Sequence, residues 1–96
     1  MNVVFDPLAK IEFDESREFY EAQEQGLGER FRRAVWAAIE ILEQYPEIGE
    51  EVRPEIRKIL VRQFPYKLIY SATDDGLYII AVAHGHRKPE YWVDRA

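Results

Sequence analysis

Two histidines two positions apart, His84 and His86, run directly into Arg87 and Lys88, with Tyr91 and Trp92 just behind and Arg62 upstream. An imidazole exchanges protons near neutral pH without a large pKa shift, so His84 or His86 suits general acid–base work. Arg62, Lys67 and Arg87 suit the stabilisation of negative charge on a phosphate, Arg above all because its forked donors match phosphate oxygens. With Tyr91 as a ring for base stacking, these are the residue types that cleavage of RNA through the neighbouring 2′-hydroxyl requires. Their types are present; their spacing along the chain does not set their mutual arrangement. A His-x-His pair on a strand also points both rings to one side, as metal ligands do. Zinc needs at least a third ligand, and the chain has no other His and no Cys, so no metal or other cofactor is expected.

Each of these residues has a structural role open to it as well. His84 can close a strand half-buried and hydrogen-bonded, with His86 a surface residue. Arg57, Lys58 and Arg62 can be solvent-side charges that discourage edge-to-edge pairing. Tyr66, Tyr70, Tyr78, Tyr91 and Trp92 can pack on a half-buried sheet instead of stacking on bases. The glutamates between Asp6 and Gly26 read as a solvated helix face. Gly26-Leu27-Gly28 lies between helices, not after a strand, and is a turn instead of a phosphate loop.

The elements that must hold these groups follow from periodicity. Asn2 to Phe5 is rich in β-formers and predicts a strand. Asp6-Pro7 has the composition of a helix start, and Ala9, Phe13, Ser16 and Tyr20 recur at helical spacing up to the glycines at Gly26 and Gly28. A second helix is predicted from Leu27 or Glu29 to Tyr45 on the stripe Leu27, Phe31, Ala34, Val35, Ala38, Ile41, Leu42 and Tyr45, and Pro46 stops it. Trp36 and Ile39 fall off that stripe, as a second buried face or as an apolar patch for a partner. After a loop at Glu47 to Glu51, strands are predicted over Arg53 to Arg62, Tyr66 to Thr73 and Gly76 (or Leu77) to His84. Asp74-Asp75-Gly76 supplies a hairpin turn between the last two. Such short links make these three strands an antiparallel meander. The reading is α+β: an N-terminal strand, a helical hairpin, then a three-stranded antiparallel meander, all in one sheet and one domain over residues 1–96. The hairpin covers one face, and the far face and the tail from Pro89 are left free, with Tyr91-Trp92 folding back.

The chain has 96 residues, net charge −5 and no cysteine, which suits a reducing cytosol. No segment has the pattern of a leader peptide or a membrane span, so a cytoplasmic protein without membrane association is expected. Charge is unevenly placed. Residues 1–52 carry five basic against thirteen acidic side chains, a net of −8, and residues 53–96 carry eight against five, a net of +3. The acidic half repels a polyanion, which disfavours generic duplex binding, while the later half can meet nucleic acid or an acidic protein.

Several collinear motifs resemble the RelE/ParE superfamily of toxins from bacterial toxin–antitoxin modules, closest to the ParE-like, plasmid-stabilisation branch. They are Phe19-Tyr20-Glu21, Gly26-Leu27-Gly28-Glu29-Arg30-Phe31, Pro46 with Gly49, Ile56-Arg57, Phe64-Pro65-Tyr66, Leu68-Ile69-Tyr70, Ala81-Val82-Ala83-His84, Arg87-Lys88-Pro89 and Tyr91-Trp92. The resemblance implies a growth-inhibiting type II toxin held inactive in a hetero-oligomer with a cognate antitoxin, for which Trp36 and Ile39 are the expected contact. Within the superfamily some members cut messenger RNA on the ribosome and others poison DNA gyrase. The acidic helical half departs from the basic surface expected of a ribosome-binding cutter and favours a protein target such as gyrase. The expected target-binding residues are then Arg87, Lys88, Tyr91, Trp92 and Arg95. The alternatives are a ribosome-dependent messenger-RNA endoribonuclease, with His84 or His86 as acid–base group, Arg62 and Arg87 as charge stabilisers and Tyr91 as stacker, and a non-toxic module that only binds antitoxin.

Overall fold

In the computed structural model, which describes residues 2–96, strand β1 (Asn2–Phe5) leads through Asp6 into helix α1 (Pro7–Gln23). Asp6 is buried and both its oxygens are used: Oδ2 accepts the Leu8 N–H at 2.9 Å and Oδ1 accepts the Tyr78 hydroxyl at 2.9 Å. One carboxylate therefore caps the helix and ties it to the sheet. Helix α1 buries Ala9 and Phe13 and half-buries Tyr20, while Ile11 and Phe19 beside the stripe are exposed.

The hairpin between the helices rests on its glycines. Gly26 has φ +89°, a conformation that costs an ordinary residue, and begins helix α2 (Leu27–Gln44). With no side chain to cap α2 there, Glu21 reaches across and accepts the N–H groups of Gly26 and Gly28, each at 3.0 Å. A Cβ on Gly28 would lie 2.6 Å from the Arg17 carbonyl oxygen, so glycine is what lets the two helices close. Helix α2 buries Phe31, Val35, Ala38, Ile39 and Leu42.

The remaining strands are β2 (Glu50–Arg53), β3 (Ile56–Val61), β4 (Tyr66–Thr73) and β5 (Gly76–His84). The sheet order is β1-β5-β4-β3-β2, with β1 parallel to β5 and every other pair antiparallel. The α+β class and the single sheet agree with the sequence reading; the strand count does not. The expected strand from Arg53 to Arg62 is divided at Pro54-Glu55, where Glu55 takes φ +66°, and Glu50 and Glu51 leave the expected loop to pair with Lys58 and Arg57. Pro presets the φ of a turn and cannot donate to a ladder, so a two-strand hairpin is the stable solution there.

The sheet face under the helices buries Val61, Leu68, Tyr70, Leu77, Ile79 and Val82 against Phe13, Phe31, Val35 and Ile39. On the other face the sequence reading needs correction, because that face is not free. Ile69↔Ala81 is followed directly by Tyr70↔Ile79, so Ile80 is an extra, bulged residue on β5. Ile80 and Ala81 consequently point to the same face, where with Ile69 and Ala83 they form an apolar patch. The tail crosses this patch, Trp92 packs into it at 3% exposure, and a short 3-10 turn (Val93–Arg95) follows. Arg53 of β2 pairs with Glu90 and anchors the tail at the far edge. Among the described residues, no helix is long and apolar enough to cross a membrane.

Candidate functional site

The C-terminal end of β5 and the turn after it gather four of the candidate residues, His84, His86, Arg87 and Lys88. Tyr66 of β4 is registered opposite His84, and their rings meet edge to face at 5.0 Å. The His86 ring lies 4.9 Å from that of His84, and the His86 backbone N–H donates to His84 Nδ1 at 3.0 Å. Nδ1 thus accepts this backbone bond, which leaves Nε2 as the ring nitrogen not engaged by it. The Gly85 N–H donates to the Pro65 carbonyl at 2.8 Å and the Arg87 N–H to the His84 carbonyl at 3.1 Å, which fixes the backbone of the turn. Among the described residues, no group of three His, Asp or Glu side chains is placed to hold a metal ion.

Beyond the turn, the Arg87 guanidinium lies 3.9 Å above the centre of the Tyr91 ring, and that of Arg95 lies 5.1 Å from it. The Tyr91 hydroxyl donates to Glu12 Oε2 at 2.6 Å. Burial first, then this bond and the Glu12 charge, push the Tyr91 phenol above its ordinary pKa, which makes it a poor proton acceptor or donor at neutral pH. Arg95 is only 12% exposed and forms a fork on Glu12, with Nη1 to Oε1 at 2.8 Å and Nη2 to Oε2 at 3.0 Å.

The expected site residues therefore separate into three groups. His84, His86, Arg87 and Lys88 share one exposed or half-exposed end of the sheet. Tyr91 and Arg95 face Glu12, and Trp92 is buried; these corrections follow from the apolar patch that the tail must cover, and Trp92 presents no surface to a target. Arg62 lies in the turn after β3 and lines a groove with Arg30 and Arg33 of α2, apart from the histidines. Of the expected antitoxin contacts, Ile39 is corrected outright: it is 0% exposed, one turn beyond Val35 on the main buried stripe. Trp36 is half-buried with its ring 6.0 Å from that of Phe5.

The sequence reading places Glu12 with the other glutamates on a solvated helix face, and the structure corrects this. The Glu12 carboxylate is 13% exposed and accepts from Val82 N–H at 3.0 Å in addition to Tyr91 and Arg95. The signal was present: Glu12 stands one turn from Ala9 and Ser16, on the side of α1 that the apolar residues mark as inward.

A second surface lies between α2 and β3. The pairing of β2 ends at Glu50↔Lys58, so Ile59 to Val61 have no strand beside them on that edge. A groove of about 460 Å³ opens there, with Ala37 and Ile41 of α2 as apolar floor, Leu60 at the strand edge, and Arg30, Arg33 and Arg62 as cationic rim, Arg30 being paired with Glu24 and Arg33 with Glu29. Leu60 is 71% exposed, unusual for a leucine on a strand.

A family model described as "ParE toxin of type II toxin-antitoxin system, parDE" matches residues 3–89. No curated protein matches the chain. The family match stops at Pro89, so Tyr91, Trp92 and Arg95 lie past its end.

Proposed function

The chain belongs to the ParE toxin family of type II toxin–antitoxin systems, and from that premise we propose that it inhibits an essential protein target, DNA gyrase, by binding it through the His84–Lys88 end of the sheet. The observation that carries this reading is the placement of Arg87 and Lys88 on an exposed turn whose backbone and flanking ring are held from behind. A fixed cationic turn suits recognition of an acidic protein surface, since less side-chain freedom is lost on binding. The net −8 of residues 1–52 opposes docking on ribosomal RNA. Cleavage chemistry is poorly served as well, with Tyr91 bound to Glu12 and Arg62 in a separate groove.

Expression of the chain alone is expected to arrest growth, with purified protein inhibiting gyrase supercoiling and Arg87→Ala/Lys88→Ala relieving both. Codon-phased cuts in cellular transcripts, with gyrase untouched, would establish instead the ribonuclease reading, for which the edge-to-face Tyr66–His84–His86 set is the supporting feature. Normal growth would leave a module that binds antitoxin without toxicity.

The neutralising antitoxin is assigned here to the α2–β3 groove. An acidic segment with apolar side chains complements its rim and floor, and an extended stretch can add main-chain hydrogen bonds along Ile59 to Val61. Ile41→Asp, on the α2 side of the groove, should weaken co-purification of the antitoxin while growth arrest by the free toxin persists. Unchanged co-purification would rule this groove out.

A further inference from the structure

We propose that Glu12 is the positioning residue of the target-binding end, holding Arg87 in place through Tyr91 and Arg95; this rests on the reading that this end engages the target. The starting point is the edge of β5. Its parallel partner β1 ends at Phe5, opposite Ile79, so among the described residues β5 has no strand on that side from Ile80 onward. Glu12 and Arg95 stand where one would continue. Glu12 accepts the Val82 N–H at 3.0 Å, Arg95 Nη1 donates to the Ile80 carbonyl at 3.2 Å, and the two side chains close on each other. A carboxylate and a guanidinium thus satisfy a donor and an acceptor that a sheet edge otherwise offers to another chain.

The same carboxylate sets the tail. Four hydrogen bonds converge on its two oxygens, from Val82, Tyr91 and both Arg95 amino groups. The Tyr91 ring, fixed at its hydroxyl, then presents its face to Arg87 at 3.9 Å, and Arg87 Nη1 is itself 3.9 Å from Glu12 Oε2. Arg87 is 54% exposed, so its guanidinium is available to a partner yet is held on one side by a ring and a carboxylate. Without Glu12, Tyr91 loses its acceptor, Arg95 is left nearly buried without its counter-charge, and nothing on α1 locates the Arg87 side chain.

The test uses the full chain. Stacking over Tyr91 shifts the Arg87 Cδ protons upfield, an effect read by NMR, whereas the Trp92 indole resonance reports that the tail remains packed. Glu12→Gln keeps the size of the side chain and an oxygen for Val82. It should abolish the Arg87 shift, leave the indole resonance in place, and weaken binding to purified gyrase by about tenfold, the scale of a lost charge-assisted contact. Should that variant fail to fold, Tyr91→Phe removes only the phenol donor and should reduce the same shift. An Arg87 shift that persists in Glu12→Gln, or in Tyr91→Phe where Glu12→Gln is unfolded, overturns the proposal. Full gyrase binding and full growth arrest by Arg87→Ala would instead overturn the underlying reading of this end, with the shift still deciding whether Glu12 holds Arg87.

Discussion

At the scale of single residues, buried polar groups bind distant parts of the chain together. The Tyr70 hydroxyl donates to the Pro46 carbonyl at 2.8 Å and accepts from Gly49 N–H at 3.1 Å, so one side chain on β4 fixes the loop between α2 and β2. Tyr70→Phe strands that buried amide and is expected to cost about 1–3 kcal/mol in urea unfolding. Burial is also the largest cause raising the phenols of Tyr20, Tyr70, Tyr78 and Tyr91 above their ordinary value of 10.0. The sign follows from linkage: below pH 10 both states hold these protons, and above it the unfolded chain releases them first. Stability is therefore fully present below pH 10 and is lost as pH rises through the higher folded values. Thermal melts followed by circular dichroism should show Tm falling above about pH 10, less steeply in Tyr91→Phe. A Tm that ignores this range would contradict the burial of these hydroxyls.

Among the elements, those with strong local patterns were legible and those created by tertiary demand were not. β4 occupies the residues its β-formers indicated, β5 starts at Gly76, the earlier of the two starts its turn left open, and α2 begins at Leu27, the earlier of the two starts its stripe left open. β2 was hidden because Glu50 and Glu51 carry no strand signal and pair only because Pro54-Glu55 turns the chain back. Ile39 looked peripheral to a single stripe, whereas the sheet under α2 is broad enough to bury Ala38 and Ile39 side by side. At the basic end, the His84–Lys88 turn could be read from residue types alone. The inward side of Glu12 was legible from its place on α1, but its role was not, since its partners lie 70, 79 and 83 residues away. Contact between the helices gives a direct test. Gly28→Ala improves helix propensity by about 1 kcal/mol, yet its Cβ would meet the Arg17 carbonyl oxygen at 2.6 Å, so net destabilisation of about 1–3 kcal/mol is expected. A gain in Tm would show that α1 and α2 can separate without loss.

At the scale of the whole molecule, one face of the sheet is covered by the helical hairpin and the centre of the other by the tail, with Val4 and Leu60 towards its edges left exposed. Trp92 is the principal plug of the second face, so Trp92→Ala should cost about 3–5 kcal/mol, measured by chemical denaturation, and should make Ile69 and Ile80 accessible to a hydrophobic dye. Stability unchanged by that substitution would mean the tail is dispensable cover. The parallel seam of β1 on β5, Asn2 against Gly76, bears on how the protein comes into being. The stretch from Asn2 to Gly76 takes roughly 4–15 s to translate, and β1 waits that long for its neighbour to begin to emerge. Residues of the α2–β3 groove, the last of them Gln63, leave the exit tunnel ahead of His84 to Lys88. The nascent polypeptide thus presents the residues proposed to meet its inhibitor before those proposed to meet its victim, an ordering set by their sequence along the chain, while the sheet that shapes both must wait for β4 and β5.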